Sequence, residues 1–359
     1  MARLGDVCTI VSGSTPRSNV PEYWDGDIKW ITPAELNEET YIINDSVRHI
    51  TELGVVKTGL KPFPQGTVIL SSRAPIGKTA IAGCEMYCNQ GFKNLICSDR
   101  INPRYLYWFL TCNTEYLNSL GRGATFKEIS KEIVANIEIP LPAMEYQTAI
   151  AEKFEKISEL IALRKEQLAK LDRLVKSRFV ELFCDKYETR ALESVCEELF
   201  AGGDVKKDIY SDIQSEEHPY PIYTNGEKNN GLYGYTSKAR VTKEAVTISG
   251  RGTIGFTCLR KEPFYPAVRL IVAVPNQELV SGCYLQHFIQ SKNYGGQGAS
   301  IPQLTVPMIK DELIPVPPME LQNQFATFVE QADKSKLAIQ QSLDKLETLK
   351  KSLMQEYFG

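Results

Sequence analysis

The chain has 359 residues, of which 43% are hydrophobic and 24% charged, and a formal net charge of −3, which together favour a globular protein over a disordered one. No apolar run approaches the roughly 18 residues that a membrane span needs, and the N-terminus shows no export signal, so we expect a cytoplasmic protein without membrane contact. Nine scattered cysteines and three histidines predict reduced thiols and no metal site.

Taken in chain order, the predicted elements form two similar halves. Residues 1–142 are rich in β-branched and aromatic residues broken by glycine and proline turns, which indicates an irregular sheet with short helices. Residues 143–186 lack glycine and proline and carry apolar residues at alternating three- and four-residue steps, as is typical of a long helix. Residues 187–317 predict a second domain like the first, and residues 318–359 predict a second long helix.

An internal repeat underlies these halves. From residue 123 onward the first half aligns with the second without gaps at an offset of 175 residues, so that residues 139–147 match residues 314–322. Upstream, residues 68–77 parallel residues 246–255. Because each half keeps a common frame around divergent inserts, we predict two copies of one domain with different targets.

The two long helices are expected to pair with each other. A helix of about 38 residues is roughly 57 Å long, which exceeds an ordinary globular helix. The simplest arrangement of the two helices is an antiparallel pair that buries both apolar stripes. The alternative is that each helix packs on its own domain. The second stripe includes Leu349, with Lys336 and Lys350 at two further positions. The predicted fold is α+β: two pseudo-symmetric domains with irregular sheets, joined by two long helices that form an antiparallel coiled-coil spacer.

Two short motifs have the form of nucleotide-binding loops. Residues 250–255 read Gly-Arg-Gly-Thr-Ile-Gly and fit a dinucleotide fingerprint, and residues 77–79 read Gly-Lys-Thr, as in a P-loop. Neither pattern recurs in the other half, so a strand, a glycine turn and a return strand explain both better. No constellation of catalytic side chains is evident, which predicts a non-catalytic chain that binds no cofactor and makes a nucleotide-dependent enzyme the weaker hypothesis.

Positive charge gathers at corresponding places in the two halves despite the acidic total. Between Glu52 and Glu85 there are four cations and no acidic residue, and residues 228–261 carry a local balance of +6. Cations interleaved with Asn and Gln suit contacts with phosphates and base edges, so we predict that both regions bind nucleic acid. The candidate residues are Arg73, Lys78, Asn89, Gln90, Lys93, Arg122, Lys127, Asn225, Asn229, Asn230, Lys238, Arg240, Arg251, Arg269, Gln297 and Gln303.

Two divergent domains, each followed by a proline-rich junction and a long helix, resemble the specificity subunit of type I restriction-modification enzymes. The junctions carry the resemblance most specifically: residues 140–147 read Pro-Leu-Pro-Ala-Met-Glu-Tyr-Gln, and residues 315–322 read Pro-Val-Pro-Pro-Met-Glu-Leu-Gln. The resemblance implies that each domain is a target recognition domain that reads one half of a split site in double-stranded DNA. It also implies that this chain catalyses no reaction.

The resemblance further implies that the helices fix the distance between the half-sites and dock two methyltransferase subunits. Those subunits would bind S-adenosylmethionine, and two restriction subunits, where present, would use ATP and Mg²⁺. A coiled-coil scaffold that binds only proteins is the alternative function, and it predicts no salt-dependent DNA binding. The helix residues expected at the partner interface are Gln147, Phe154, Ile157, Ile161, Leu168, Leu171, Gln322, Val329, Leu343 and Leu346.

Overall fold

The chain folds into two compact units. Unit 1 comprises residues 1–164 and 342–359, and unit 2 comprises residues 165–341. Each of the two long helices therefore begins in one unit and ends in the other. The computed structural model describes residues 1–37, 40–73, 75–123, 127–183, 187–205, 210–292, 294 and 303–359.

Unit 1 combines short strands and helices with the beginning of a long helix. Its strands are β1 (Ala2–Arg3), β2 (Cys8–Ser12), β3 (Trp24–Ile31), β4 (Ile42–Ile43), β5 (Arg48–Ile50), β6 (Val68–Leu70), β7 (Thr79–Ala82), β8 (Tyr87–Cys88), β9 (Lys93–Cys97) and β10 (Glu138–Ile139). Its helices are α1 (Leu4–Val7), α2 (Glu52–Thr58), α3 (Pro103–Cys112), α4 (Thr114–Ser119), α5 (Lys131–Ala135) and the 40-residue α6 (Met144–Phe183), with 3₁₀ turns at Pro21–Tyr23 and Pro33–Glu35. The strands form sheets in the orders β2-β9-β6-β7-β4, β5-β3-β8 and β1-β10.

Unit 2 repeats this plan. Its strands are β11 (Thr189–Ala191), β12 (Cys196–Ala201), β13 (Tyr210–Ser211), β14 (Tyr220–Tyr223), β15 (Leu232–Thr236), β16 (Ala245–Ile248), β17 (Thr257–Arg260), β18 (Tyr265–Pro266), β19 (Ile271–Pro275) and β20 (Leu313–Pro315). Its helices are α7 (Gly282–Ser291), α8 (Val306–Ile309) and the 40-residue α9 (Met319–Phe358), with 3₁₀ turns at Leu192–Val195 and Lys228–Gly231. The sheet orders are β12-β19-β16-β17, β13-β15-β14-β18 and β11-β20. Strands β12, β19, β16 and β17 thus take the places of β2, β9, β6 and β7, which confirms the predicted repeat.

Three central strands of the main sheets are buried along their whole length. Every residue of β6 is buried, and so is every residue of β16 and β19. Continuous burial of this kind is typical of strands that are covered on both faces. In unit 1, α3 packs on β6 and β7, and in unit 2, α7 packs on β16, β17 and β19.

In unit 1 the first part of α6 packs antiparallel to the last part of α9. The ring of Phe154 stacks on those of Trp108 and Phe358, with centroids 5.3 and 5.7 Å away. Further along α6, Arg164 Nε donates a hydrogen bond to Ser342 Oγ at 3.2 Å. Because the later residue of α6 meets the earlier residue of α9, the two segments run in opposite directions.

Unit 2 contains the matching arrangement. Phe179 and Phe183 of α6 pack against Phe325 of α9 with ring centroids 5.5 and 5.4 Å away, and Lys336 Nζ lies 2.7 Å from an oxygen of Asp172. The antiparallel pairing of the helices is therefore confirmed within each unit. None of the helices in the described ranges combines the length and the apolar character that a bilayer span requires.

Three positions of the α9 stripe depart from an apolar seam. Lys336 is paired with Asp172, and Lys350 Nζ lies 4.9 Å from the centroid of the Trp108 ring, so both lysines bury their stems and direct the charge at a partner. Leu349 is 47% exposed, so its predicted place on the stripe is wrong. Lys350 lies seven residues after the buried Leu343 and takes the inward heptad position, which leaves the adjacent Leu349 outside the seam.

A buried glutamine fastens each proline-rich junction. Gln147 Oε1 accepts a hydrogen bond from Asn102 N at 2.9 Å, and its Nε2 donates to Arg100 O at 3.1 Å and to Pro142 O at 2.9 Å. Its repeat partner Gln322 is buried to the same degree. The start of each long helix is thus tied by one amide to the loop that precedes α3 or α7.

Candidate nucleic-acid interface

Each unit holds the turn between two central strands against a distant segment of the chain. In unit 1, Ile129 N donates a hydrogen bond to Ser72 O, in the turn between β6 and β7, at 3.0 Å. In unit 2, Leu304 N donates to Gly250 O, in the turn between β16 and β17, at 2.8 Å. Both bonds join main-chain atoms, so the segments are positioned without the use of side chains. We call this duplicated arrangement the turn frame.

The turn frame accounts for the two motifs of nucleotide-binding form. Strand β17 pairs antiparallel with β16, so residues 250–255 form a turn between two strands and do not lead into a helix. Residues 77–79 likewise lead into β7, which pairs antiparallel with β6. The predicted strand, glycine turn and return strand is confirmed at both places, and the loop-to-helix step that a dinucleotide fingerprint or a P-loop needs is missing from both.

In unit 1 the turn frame carries a cluster of charges around Glu128. Arg73 Nε donates to one carboxylate oxygen of Glu128 at 2.9 Å, and Lys93 Nζ donates to the other at 3.2 Å. Burial raises the pKa of this carboxyl, but the hydrogen bonds from the two cations outweigh burial and leave the pKa below its usual value. Sequence reasoning missed Glu128, although the gapless register of the repeat places it opposite Gln303.

Glu128→Gln is expected to remove a pH-dependent contribution to the stability of unit 1. Since the folded pKa is below the usual value of 4.5, the ion pairs stabilise fully above that value and are lost as the pH falls through the folded pKa. The Glu128 side chain is 35% exposed, so we expect about 1 kcal/mol or less. Thermal midpoints of the wild type and the variant, measured from neutral to acidic pH, should converge at the acidic end. A difference that stays constant with pH would contradict the assignment.

In unit 2 the turn frame brings four predicted residues together. Gln303 Oε1 accepts hydrogen bonds from Arg251 Nε and Nη2 at 3.1 and 2.9 Å, and from Arg269 Nη1 at 2.7 Å. Asn225 Oδ1 accepts a hydrogen bond from Gly250 N at 2.7 Å, which fixes the base of the same turn. Two guanidinium groups therefore share one neutral acceptor at the place where unit 1 has a carboxylate.

Four further predicted residues lie close to the unit 1 cluster in the chain or in space. Asn89 and Gln90 immediately precede Gly91, whose carbonyl oxygen accepts a hydrogen bond from Ser72 N at 2.7 Å. The main chain of Arg122 pairs with that of Glu128, and Arg122 and Lys127 are both exposed. A role in DNA contact stays a prediction for all of them.

Within the described ranges, the remaining predicted residues form no hydrogen bond or ion pair with either cluster. Lys78 Nζ donates to Leu36 O at 2.6 Å and so secures a loop of unit 1. The guanidinium of Arg240 lies 4.1 Å from the centroid of the Phe200 ring. Three more predicted residues of unit 2 are exposed, namely Asn229, Asn230 and Lys238. The last one, Gln297, lies outside the described residues.

Most helix residues that were predicted at a partner interface point into their own unit. Gln147, Phe154, Ile157, Gln322, Val329 and Leu343 are buried, whereas Ile161, Leu168, Leu171 and Leu346 are partly exposed. A stripe at heptad spacing marks a helix pair, and it does not distinguish a partner within the chain from a partner outside it. Apolar residues that the two helices do expose are Tyr146, Leu160, Leu163, Leu174, Val180, Leu337 and Leu349.

Solved structures share the fold of two α+β units with antiparallel long helices. The S subunit of a type I restriction-modification system from M. genitalium has a TM-score of 0.61 and 16% identity, covering 99% of this chain and 95% of that one. A structure described for complex assembly and conformational transition of the type I R-M system has a TM-score of 0.64 and 19% identity, covering 99% and 96%.

The sequence comparison defines the family. The model of the type I restriction modification DNA specificity domain matches residues 1–173 and again residues 185–350, and the chain belongs to this family. It is 29% identical over 367 residues to the type I restriction enzyme MjaIX specificity subunit of Methanocaldococcus jannaschii, covering 91% of this chain and 85% of that one. The EcoprrI specificity subunit of Escherichia coli is 22% identical, with coverage of 92% and 86%. The resemblance carried by the two junctions is confirmed.

Proposed function

We propose that this chain is the DNA sequence-recognition subunit of a type I restriction-modification complex and that each unit reads one half of a bipartite, gapped site in double-stranded DNA. The observation that carries the proposal is the turn frame, which presents a cluster around Glu128 in unit 1 and a cluster around Gln303 in unit 2. Phosphate contacts fix register while side-chain donors and acceptors select bases. One frame with two different sets of side chains suits two unlike half-sites.

In this proposal the chain is non-catalytic and the chemistry belongs to its partners. Two methyltransferase subunits would bind S-adenosylmethionine and methylate adenine, and restriction subunits, where present, would use ATP and Mg²⁺. The exposed helix residues support two docking sites of the same kind. Leu174 and Leu349 are 51% and 47% exposed, and they occupy equivalent positions of the repeat. Equivalent apolar residues on two equivalent helices suit two copies of one partner.

The experiment that tests the function is methylome sequencing. A host without DNA methylation would express this chain together with the methyltransferase encoded beside it. We expect a gapped motif with two unlike halves that disappears when either protein is omitted. An unmodified genome despite a stable complex would overturn DNA reading and favour the scaffold function, and failure to form a complex would overturn the assembly role.

Leu174→Asp and Leu349→Asp are each expected to remove one methyltransferase subunit from the complex, and the double variant to remove both. A charge placed in an apolar contact loses its hydration without gaining a partner, so a loss of affinity of at least about tenfold is expected at each site. Native mass spectrometry of the assembled complex would count the subunits.

Leu337→Asp is the matched control for this experiment. Leu337 is an exposed leucine of α9 whose repeat partner is the small residue Ala162, so α6 has no large apolar side chain at the equivalent position. The complex of this variant should keep two methyltransferase subunits. Full assembly in the Leu174→Asp/Leu349→Asp double variant would contradict docking at these leucines.

A further inference from the structure

The two charged clusters differ at positions that the repeat makes equivalent. Glu128 of unit 1 corresponds to Gln303 of unit 2, and the change replaces a carboxylate by a neutral amide of the same shape. Arg73 therefore meets a negative charge, whereas Arg251 meets an amide oxygen. The arginine of unit 1 is neutralised by its own domain, and the arginine of unit 2 is not.

The second arginine of the unit 2 cluster is also absent from unit 1. Leu95 of β9 and Ala273 of β19 are equivalent because each lies opposite the equivalent valine of the neighbouring central strand. Four residues earlier in the chain, unit 1 has Gly91 and unit 2 has Arg269. By the same register, unit 2 has Ile271 where unit 1 has Lys93, so each cluster holds two cations and the unit 2 cluster lacks only the anion.

The unit 2 cluster has donors to spare. A guanidinium carries five N–H groups, while Gln303 Oε1 takes two from Arg251 and one from Arg269. Among the described residues, neither arginine forms an ion pair with a carboxylate. The ion pairs of unit 2 are formed by other arginines and lysines. Two positive charges that share one neutral acceptor repel each other, and an anion between them would relieve that repulsion.

The backbone at Arg269 is strained. Its φ angle is 63°, in the left-handed region that a side chain with a Cβ adopts at a cost. Glycine would relieve the strain, and unit 1 has Gly91 at the equivalent position, although the backbone there does not adopt the left-handed conformation. A strained arginine beside a second, unneutralised arginine points to a bound ligand more than to a structural role.

We propose that Arg251 and Arg269 form a phosphate-binding site for the DNA backbone in unit 2 and that the equivalent place in unit 1 is closed by Glu128. The inference rests on the proposed function and names the chemical group that this part of unit 2 binds. Each neutralised phosphate releases condensed counterions, so the site makes the affinity for DNA more dependent on salt. The turn frame of unit 2 therefore binds the DNA backbone more tightly than the turn frame of unit 1.

The test is the salt dependence of binding to a mixed-sequence DNA duplex by the full chain in complex with its methyltransferase. Gln303→Glu supplies the carboxylate that unit 1 already has. We expect this variant to bind about tenfold more weakly at low salt, and the slope of log K against log salt to become shallower by about one to two. Arg269→Gly should make the slope shallower by about one, with a thermal midpoint equal to or above that of the wild type because glycine accepts the left-handed backbone.

Glu128→Gln is the matched control in unit 1. It frees Arg73 and Lys93 from their carboxylate, so we expect a higher affinity for the same duplex and a slope that is steeper by about one. Glu128→Gln removes a carboxylate from the unit 1 cluster, and Gln303→Glu adds one to the unit 2 cluster. Opposite effects of the two variants on DNA affinity and on the salt slope would support the proposal. A general loss of folding cannot produce that pattern.

Two results would overturn the proposal while leaving the proposed function intact. One is an unchanged salt slope in both Gln303→Glu and Arg269→Gly. The other is weaker binding of these variants to the methylated target motif alone, with normal binding to mixed-sequence DNA, which would make the cluster a base reader. Failure of the wild-type complex to bind any duplex would overturn the proposed function itself, and this inference with it.

Discussion

Replacing Gln322 by methionine is expected to lower the free energy of unfolding of unit 2 by about 2–4 kcal/mol. Gln322 is fully buried; its Oε1 accepts a hydrogen bond from Ser281 N at 2.8 Å, and its Nε2 donates to Leu279 O and Pro317 O, both at 2.9 Å. Methionine keeps the length of the side chain but has no donor and only a weak acceptor. Three main-chain groups would lose their partner where water does not replace it.

Hydrogen exchange of the amides in α7 is the measurement, because it reports on unit 2 separately from the rest of the chain. Gln324→Met is the matched control, since Gln324 is an exposed residue of the same helix, and it should exchange like the wild type. The equivalent change Gln147→Met should weaken the amides of α3 in unit 1. Equal exchange in Gln322→Met and Gln324→Met would refute the fastening role of this amide.

Replacing Phe154 by alanine is expected to destabilise unit 1 by about 3–5 kcal/mol. The ring is fully buried between Trp108 of α3 and Phe358 of α9, so its removal opens a cavity where the helix pair meets the domain core. The loss combines the transfer of a large apolar group with the contacts that a rigid interior cannot recover. We expect the end of α9 to loosen together with α6.

Denaturant unfolding followed by tryptophan fluorescence suits this variant, because Trp108 stacks directly on Phe154. The transition midpoint should fall markedly in Phe154→Ala and less in Phe154→Leu, which retains most of the apolar volume. Tyr146→Ala changes an exposed aromatic residue of the same helix and should leave the free energy of unfolding within about 0.5 kcal/mol of the wild type, with little change in the midpoint. A similar midpoint for Phe154→Ala and Tyr146→Ala would show that the helix pair does not depend on this ring.

The long helices and the repeat were predictable because both appear in the sequence as regular spacings: the helices as periodic apolar residues, and the repeat as a constant offset between the two halves. The first helix was predicted within residues 143–186 and extends over Met144–Phe183. Pro142 marks where it begins, and apolar periodicity identifies its buried face. The misplacement of Leu349 shows where such reasoning ends, since a three-residue step from Leu346 reaches a leucine while the inward position four residues on is held by Lys350.

The composition of the charged clusters was only partly predictable. Arg73 and Arg251 were recognised from their position in the basic turns, but the partner of each lies more than fifty residues away in the chain. Lys78 belongs to the same basic stretch, yet its charge is used on a carbonyl oxygen of its own unit. Which cation is free depends on long-range main-chain contacts, and these have no local signature in the sequence.

The same limit applies to the junction glutamines. A glutamine at the start of a helix that is expected to dock a partner suggests an interface, and Gln147 and Gln322 were predicted there. The structure places both amides in fully occupied hydrogen bonds within their own units. Repetition of a polar residue in a duplicated sequence can thus reflect a duplicated folding requirement as well as a duplicated partner.

The main-chain bonds of the turn frame have an evolutionary consequence. Any amino acid except proline can donate the hydrogen bond that Ile129 makes to Ser72 or that Leu304 makes to Gly250. Point mutations at the neighbouring side chains therefore change what the frame presents at little cost to folding. Under the proposed function, each unit can therefore change the side chains that it presents to DNA while the hydrogen bonds that hold its turn stay the same.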